Sequence, residues 1–267
     1  MINCYKKITP FFKALSIVSS TLLFSFSSNA LEKIKVSIGG DTWCPYNCKS
    51  GSDRPGLMIE VAEKAFGKEN VEYKILPWKR AINDARTGSL DAIVGAAKTD
   101  APDFNMSYTL GKSINCFYAK ADSTWKYTNH DSIKGKKMGF IGAYAYPDFV
   151  VAYSDDKANN QSVEMSGDGV LLNLLKMLPL GRVDIVPDDE NVLNYLVTAN
   201  PELKTLVKNA GCSLEAGDIV DIGIAFSPKQ QAKSLKALNL LNETIKEMIK
   251  SGDMQKLADK YQMKKWW

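Results

Sequence analysis

Histidine is almost absent from this sequence, since His130 is the only one among 267 residues. Zinc sites are built from clustered cysteines and histidines, and catalytic sites often use a histidine as acid or base. Beyond one closely spaced cysteine pair no metal-ligand set is present, and the Gly-x-Ser-x-Gly nucleophile motif is missing. The sequence therefore predicts no metal, no cofactor and no catalytic residue.

A large excess of positive charge is also missing once the N-terminal segment is set aside. The chain has 34 Lys and Arg against 30 Asp and Glu, and residues 1–30 contain three lysines and no acid, which leaves 31 against 30. No long basic stripe remains, so nucleic acid is not a predicted partner. The other 237 residues can bury a full core, or two smaller ones, without help from disulfides or metals.

Long apolar runs are limited to one, over residues 14–26, which follows the three lysines. It is shorter than the roughly 20 residues of a transmembrane helix. Ser28-Asn29-Ala30 comes next, with small residues at the two positions that a signal peptidase reads. This pattern predicts a secretory signal peptide over 1–30, cleaved near Ala30, with an uncleaved anchor as the alternative. We expect the mature protein in the periplasm.

The mature chain keeps four cysteines, Cys44, Cys48, Cys116 and Cys212. Close cysteine pairs in an oxidising compartment tend to be bridged, so a local Cys44–Cys48 disulfide is predicted. The three-residue spacer differs from the two-residue spacer of thioredoxin-type redox sites. Cys116 and Cys212 could be buried thiols or a second bridge.

Hydrophobic periodicity alternates between strand and helix. Residues 34–38 alternate as a strand does, and an apolar helical stripe from Leu57 to Phe66 ends at Gly67. A second stripe starts at Trp78 and ends at Gly88, and an apolar run over 92–97 suits a buried parallel strand. This β-α-β-α-β order is typical of an α/β fold.

A short unit occurs twice along the chain. Gly88-Ser89-Leu90-Asp91 is followed by an apolar strand, and Gly181-Arg182-Val183-Asp184, ninety-three residues later, is followed by another. In each copy a helix would stop at the glycine and turn tightly into a core strand. Two copies predict two similar lobes, each a mostly parallel sheet flanked by helices.

The lobe boundaries follow from composition. A polar stretch over 121–131 interrupts the apolar pattern, and the C-terminal helices have no strand-rich region of their own. We therefore expect residues 31–120 and 215–267 to form one lobe and 121–214 the other. The chain would then cross twice between the lobes, which makes a hinge, and a monomer is expected.

Several motifs, in this order and spacing, resemble those of the extracellular solute-binding proteins of family 3. They are Trp43-Cys44-Pro45-Tyr46, Gly56-Leu57-Met58-Ile59-Glu60-Val61-Ala62, Pro77-Trp78-Lys79-Arg80-Ala81, Gly88-Ser89-Leu90-Asp91-Ala92, Ile133-Lys134-Gly135-Lys136-Lys137-Met138-Gly139 and Gly181-Arg182-Val183-Asp184 with Asp189 downstream. The resemblance implies a two-lobed periplasmic-binding-protein fold of type II. It also implies capture of a small polar solute for a polar amino-acid ABC importer.

The sequence departs from this family at one place. Members that bind amino acids carry Thr-x-Glu-Arg after the Asp-Ala strand, and that arginine grips the carboxylate of the ligand. Here the segment reads Lys98-Thr99-Asp100-Ala101-Pro102-Asp103-Phe104, without an arginine. The resemblance therefore does not imply that the ligand is an α-amino acid.

Candidate ligand contacts follow the strands, because ligands of open α/β sheets bind at the carboxyl ends of strands. In the first lobe, Trp43 and Tyr46 are predicted to sandwich the ligand, or else to make apolar lobe contacts. Trp78 and Arg80 open the second helix, and Arg80 is predicted to grip an anionic group as the missing arginine would, unless it is a solvated surface residue. Lys98 is the competing cation.

In the second lobe, Tyr144 follows a strand and is predicted to line the cleft or to cover the lobe. Asp189, matching the acid of the family, is predicted to accept a ligand ammonium, with Asp188 as its more exposed neighbour. Capping a turn is the alternative role for either acid. Asp91 and Asp184 are predicted to be turn residues.

The favoured function is solute binding, in which lobe closure around the ligand is recognised by a membrane partner. That partner would be an ABC transporter permease or a membrane sensor, and the sequence does not separate the two. A dehydratase-type enzyme on the same fold is the second class, and it would need an acid or base poised in the cleft. A structural or adhesive module would not explain the repeated unit.

Overall fold

The structure is a computed structural model, which describes residues 1–2, 34–156, 162–167, 169–215 and 217–267. Nearly all of the predicted signal peptide, residues 1–30, lies outside the described residues. Within the described ranges, no helix is both long enough and apolar enough to cross a membrane.

Strands and helices alternate along most of the described chain. The strands are β1 Val36–Gly40, β2 Val71–Ile75, β3 Ala92–Ala97, β4 Asn105–Met106, β5 Gly111–Lys120, β6 Gly139–Ile141, β7 Val163–Met165, β8 Ile185–Asp189, β9 Val207–Cys212 and β10 Ile219–Phe226. The α-helices are α1 Leu57–Phe66, α2 Trp78–Thr87, α3 Asp148–Asp155, α4 Val170–Met177, α5 Glu190–Ala199, α6 Gln231–Ser251 and α7 Asp253–Lys260. This order confirms the predicted α/β class.

The sheet is built around β5. The strands β2, β1 and β3, which precede β5 in the sequence, are parallel. β10, from near the end of the chain, pairs antiparallel with β3. The ten residues of β5 change partners midway, since Gly111–Ile114 pair with β10 and Asn115–Lys120 pair with β8 and β9. Further along the chain, β6 and β7 are parallel, and a parallel bridge joins Met138 to Ile185 of β8. β5 thus connects two groups of strands. The group β1–β3 with β10 is called the first half of the fold below, and the group β6–β9 is called the second half.

The repeated Gly-x-apolar-Asp units make the same contacts in both halves. The Asp91 carboxylate accepts the backbone N–H of Ser37 at 2.8 Å, and the Asp91 N–H returns to the Ser37 carbonyl at 3.0 Å. Asp184 does the same with Lys137, at 2.8 Å and 2.7 Å. Each aspartate therefore ties its turn to the start of the neighbouring parallel strand, which is the turn role predicted for both.

The C-terminal helices pack against α1, the first helix among the described residues. The buried side of α6 carries Leu241, Ile245 and Met248. Just after α7, the Tyr261 hydroxyl accepts the backbone N–H of Gly56 at 2.9 Å and donates to Glu60 of α1. These bonds join α1 to the C-terminal segment across more than two hundred residues of sequence.

The four cysteines of the described residues are all bridged, in two pairs. The predicted Cys44–Cys48 disulfide is present, with a Cα–Cα distance of 4.8 Å. Cys116 of β5 and Cys212 of β9 form a second disulfide, with a Cα–Cα distance of 3.8 Å. These two residues are cross-strand partners. Because they lie 96 residues apart in the sequence, only the fold reveals that they pair.

Thiol counting checks both bridges. Protein that starts at residue 31, unfolded without reductant, should expose no titratable thiol, because all four of its cysteines are paired in the structure. After reduction the same assay should count four. Two free thiols before reduction would show that one bridge does not form, and peptide mapping would identify it.

Candidate functional site

The loop after β1 is a tight turn that carries two aromatic side chains. The Trp43 N–H donates to the Asn47 carbonyl at 2.8 Å, and the Trp43 carbonyl accepts the N–H groups of Tyr46 and Asn47. The Cys44–Cys48 disulfide closes the same turn. The Trp43 and Tyr46 rings stack with their centroids 4.7 Å apart. The turn therefore presents a rigid aromatic pair at the carboxyl end of β1.

Gly95 of β3 makes room for this turn. Its φ is +80°, a conformation that side chains rarely adopt. A Cβ at this position would lie 3.0 Å from the Asn47 amide oxygen and 3.3 Å from the Trp43 ring. Glycine thus lets the indole of Trp43 lie directly over the strand.

Two hydrogen bonds join loops from the two halves of the fold. The indole Nε1 of Trp43 donates to Asp188 Oδ1 at 3.1 Å. The hydroxyl of Tyr144, in the loop after β6, donates to the carboxylate of Asp41, which follows β1. Because each bond pairs a strand end of one half with a strand end of the other, these four residues fasten the halves together at the site.

Asp189 is held by the backbone around it. It caps α5 by accepting the N–H groups of Asn191 and Val192 at 2.8 Å and 3.1 Å. Its second oxygen accepts the Ile114 N–H at 3.2 Å and, more distantly, the Tyr46 hydroxyl at 3.4 Å. Asp189 therefore caps a helix in this structure, and its contact with a ligand ammonium stays a prediction.

Asp188 is less well satisfied than Asp189. Its side chain is 2% exposed, so the prediction that Asp188 is the more exposed neighbour is wrong. Oδ1 accepts the Trp43 indole and the Asp189 N–H, but Oδ2 has no hydrogen-bond partner among the described residues. Burial raises the pKa of Asp188 to about 7 and also raises the pKa of Asp189.

A third acid, Asp100, follows β3. Its carboxylate accepts the Ala97 N–H at 2.7 Å and is also hydrogen-bonded by Trp78 and by the backbone of Ala145 in the other half. Burial outweighs these bonds and raises the pKa of Asp100 to about 6.

Several of these side chains line one cavity of about 50 Å³. It is lined by Asp41, Trp43, Trp78, Val94, Gly95, Ala97, Asp100, Ser113, Tyr144, Ala145, Val220 and Ile222. The residues come from both halves and from the strands β5 and β10 that connect them. Concave sites lined by aromatic side chains and a few polar groups are where small ligands commonly bind.

The structure brings most of the predicted site residues together. Trp43, Trp78 and Tyr144 line the cavity. Tyr46 is buried beside Trp43, where its hydroxyl accepts the side-chain amide of Asn191 at 2.9 Å. Asp189 lies behind them as the cap of α5.

Arg80 and Lys98 do not reach the cavity. The Arg80 side chain is 68% exposed and pairs with Asp84 at 3.5 Å. Lys98 is exposed and donates its Nζ to the Phe104 carbonyl at 2.9 Å. Their predicted role in gripping an anionic group has no support from these positions.

Sequence reasoning missed Asp41, Asp100 and Ser113. Asp41 and Asp100 come directly after β1 and shortly after β3, so the strand-end rule that selected Trp43 and Lys98 applies equally to them. Ser113 lies inside β5, and its access to the cavity depends on where that strand changes partners, which no sequence signal indicates.

Comparison with known proteins identifies the fold. Residues 36–264 match the model of bacterial extracellular solute-binding proteins, family 3. No curated protein sequence matches the chain significantly.

Three solved structures are similar over most of the chain, and each covers 85% of it. A histidine kinase sensor domain with similarity to periplasmic binding proteins is 16% identical, with a TM-score of 0.69 over 95% of its length. An ancestral arginine-binding protein bound to arginine is 20% identical, with a TM-score of 0.68 over 97%. The substrate-binding protein of an amino acid ABC transporter is 20% identical, with a TM-score of 0.67 over 98%. At these identities the likeness establishes the fold, which confirms the predicted periplasmic-binding-protein type.

Proposed function

Because the chain belongs to the bacterial extracellular solute-binding proteins of family 3, we propose that it is a periplasmic receptor that captures one small polar solute and catalyses no reaction. The observation that carries this proposal is the cavity enclosed by strand-end loops of both halves. Trp43 with Asp188 and Tyr144 with Asp41 hold those loops together around it. Such an arrangement suits a clamp that opens for entry and closes on the solute.

The clamp we propose has residues 31–120 and 215–267 as one lobe and 121–214 as the other. Two features support this division, namely the repeated aspartate turn in each half and the change of partners within β5. The hinge would then consist of β5 and the connection between β9 and β10. Residues 1–30 are the export signal in this proposal, and the mature protein works as a monomer.

The membrane partner we propose is an ABC transporter permease. The similarity to the substrate-binding protein of an amino acid ABC transporter supports it. The similarity to a histidine kinase sensor domain supports a second candidate, in which the closed receptor docks on a membrane sensor. Chemical crosslinking in membranes, followed by identification of the crosslinked protein, separates a permease from a sensor.

Native mass spectrometry of gently purified mature protein tests solute capture. We expect a complex heavier than the chain by the mass of one small molecule, which is released when the protein unfolds. The same molecule, added back and recovered after prolonged incubation, should be chemically unchanged, whereas conversion to a product would identify an enzyme. A chain that neither retains nor rebinds any small molecule would contradict the proposal.

A matched pair of tryptophan variants tests closure. Trp43→Phe removes the indole N–H that reaches Asp188, a hydrogen bond to a carboxylate worth about 1.5–3 kcal/mol, so affinity for the co-purified solute should fall roughly ten- to hundredfold. Trp125→Phe removes an indole N–H that donates to the Ser132 carbonyl away from the cavity, and affinity should stay unchanged. Equal affinities for the two variants, measured by calorimetry, would argue against closure through Trp43.

A further inference from the structure

The three aromatic side chains that line the cavity and can donate a hydrogen bond each already have an acceptor. Trp43 donates its indole N–H to Asp188, and Tyr144 donates its hydroxyl to Asp41. The Trp78 side chain hydrogen-bonds Asp100. What these pairs still offer a ligand is carboxylate lone pairs and aromatic ring faces. Both attract positive charge, the first by charge-assisted hydrogen bonds and the second through the negative face of the ring.

The other polar groups at the cavity follow the same pattern. Ser113 is hydrogen-bonded to Asp189, and the backbone of Ala145 is hydrogen-bonded to Asp100. Among the described residues that line the cavity there is no lysine, arginine or histidine. An anionic group placed here would therefore meet carboxylates and no opposing cation.

Asp188 independently indicates that the ligand carries positive charge. Its carboxylate is 2% exposed, and Oδ2 lacks a hydrogen-bond partner within the described chain. A buried carboxylate oxygen without a donor is costly, and an N–H donor that carries positive charge removes that cost. Asp188 is not one of the lining residues, but it is hydrogen-bonded to Trp43 and interacts electrostatically with Asp41 and Tyr144, which are.

None of four cations of the described chain, Arg80, Lys98, Lys49 and Arg54, lines the cavity. Arg80 pairs with Asp84, and Lys98 is bound to a backbone carbonyl. Lys49 and Arg54 line a neighbouring groove of about 690 Å³, which shares Asp41, Trp43 and Tyr144 with the cavity. The Arg54 guanidinium donates to the Lys260 carbonyl and lies 5.2 Å from the centre of the Tyr261 ring.

We propose that the cavity receives the amine or guanidinium end of an organic cation, and that recognition needs no carboxylate on the solute. This inference rests on the proposed function. A space of about 50 Å³ holds roughly three or four water-sized groups, which suits the charged end of a chain while its remainder extends away. The solute class is thus a small amine or guanidine, in contrast to a zwitterion held at both ends.

Matched probes test the proposal by calorimetry on solute-free mature protein. Each pair differs by one carboxylate: agmatine and arginine, cadaverine and lysine, putrescine and ornithine. A fourth set, 1,4-butanediol and glutarate, replaces the cation with a neutral or an anionic group. We expect at least one amine to bind, with an affinity equal to or above that of its amino acid, and the diol and the diacid not to bind.

Asparagine variants connect binding to the acids. Asp188→Asn keeps the shape and removes the charge, so affinity for the binding amine should fall at least about tenfold. Asp122→Asn, at an exposed site paired with Lys120, should bind as the wild type does. Equal loss in both variants, or none in Asp188→Asn, would overturn the inference.

The failure of this inference can be told from failure of the proposed function. If the co-purified solute is neutral or anionic, or if an amino acid binds more than tenfold better than its amine, the cation proposal is overturned and solute capture stands. If no probe binds and no solute co-purifies, both are overturned. A co-purified amine or guanidine that Asp188→Asn no longer retains supports both.

Discussion

Replacing Gly56 with alanine should lower the free energy of unfolding by about 2–4 kcal/mol and abolish measurable solute binding. Gly56 precedes α1 with φ at +112°, and an added Cβ would lie 2.5 Å from both the Asn47 Cα and the Tyr46 carbonyl oxygen. The neighbouring backbone cannot yield easily, because the Pro45 and Tyr46 carbonyls accept the first two N–H groups of α1. The clash therefore displaces the turn that carries the aromatic pair.

Gly51→Ala is the matched control for this substitution. Gly51 also has a positive φ, +71°, but nothing lies within 4 Å of an added Cβ. Only backbone strain remains, so about 1–2 kcal/mol should be lost and binding should persist. Urea unfolding curves of both variants measure the difference. Equal losses would show that the close contact with Asn47 does not determine the stability of this turn.

The unliganded protein should become more stable as the pH is lowered from 8 to about 5, because of Asp188. Burial raises the pKa of Asp188 from 3.8 to about 7. The unfolded chain holds the proton less tightly than the folded chain, so this contribution to stability is complete below about pH 4 and is lost as the pH rises through about 7. Asp100, with its pKa raised to about 6, acts in the same direction.

Asp188→Asn isolates this contribution. A side chain that cannot ionise avoids burying a charge, so the variant should unfold at a higher urea concentration than the wild type at pH 8. We expect a gain of about 1–3 kcal/mol, which is less than a rise of the pKa from 3.8 to about 7 would contribute in full. At pH 4.5 the two proteins should be nearly equal.

Among the described residues, four titratable groups face Asp188 and interact with it electrostatically. They are Asp189 on the same strand, Asp41 in the loop after β1, and Tyr144 and Tyr146 in the loop after β6. Asp122→Asn, a surface change, should leave the pH profile unaltered. A variant at Asp188 that is less stable than the wild type at pH 8 would contradict the expectation, since it would mean that the charged form is favoured in the fold.

Local patterns were sufficient to predict several of the elements. The apolar run 92–97 is β3 with the same bounds, and Gly88 ends α2 in the left-handed conformation. Both depend on neighbours within one turn or one strand. The aspartate turns were likewise readable, because the glycine and the aspartate of each unit act over a few residues, although the bonds to Ser37 and Lys137 needed the fold.

The site was predicted less completely, for two physical reasons. Arg80 begins a helix after a strand, as a ligand-gripping arginine would, but α2 buries Trp78, Ala81 and Ala85. With about 3.6 residues per turn, position 80 then faces solvent, which the stripe itself could have indicated. Asp188 is different. Its importance depends on Trp43 approaching from 145 residues away, and no pattern along the chain encodes that approach.

The disulfide between β5 and β9 makes the chain from Cys116 to Cys212 a closed covalent ring. Tension applied at the two termini would pass from one cysteine to the other and bypass everything between them. At about 3.4 Å per residue, those 96 steps would remove roughly 330 Å from the length to which the oxidised chain can be stretched. A protease that cuts once inside the ring would open it without releasing a fragment. The oxidised second half is therefore mechanically shielded in a way that the first half is not.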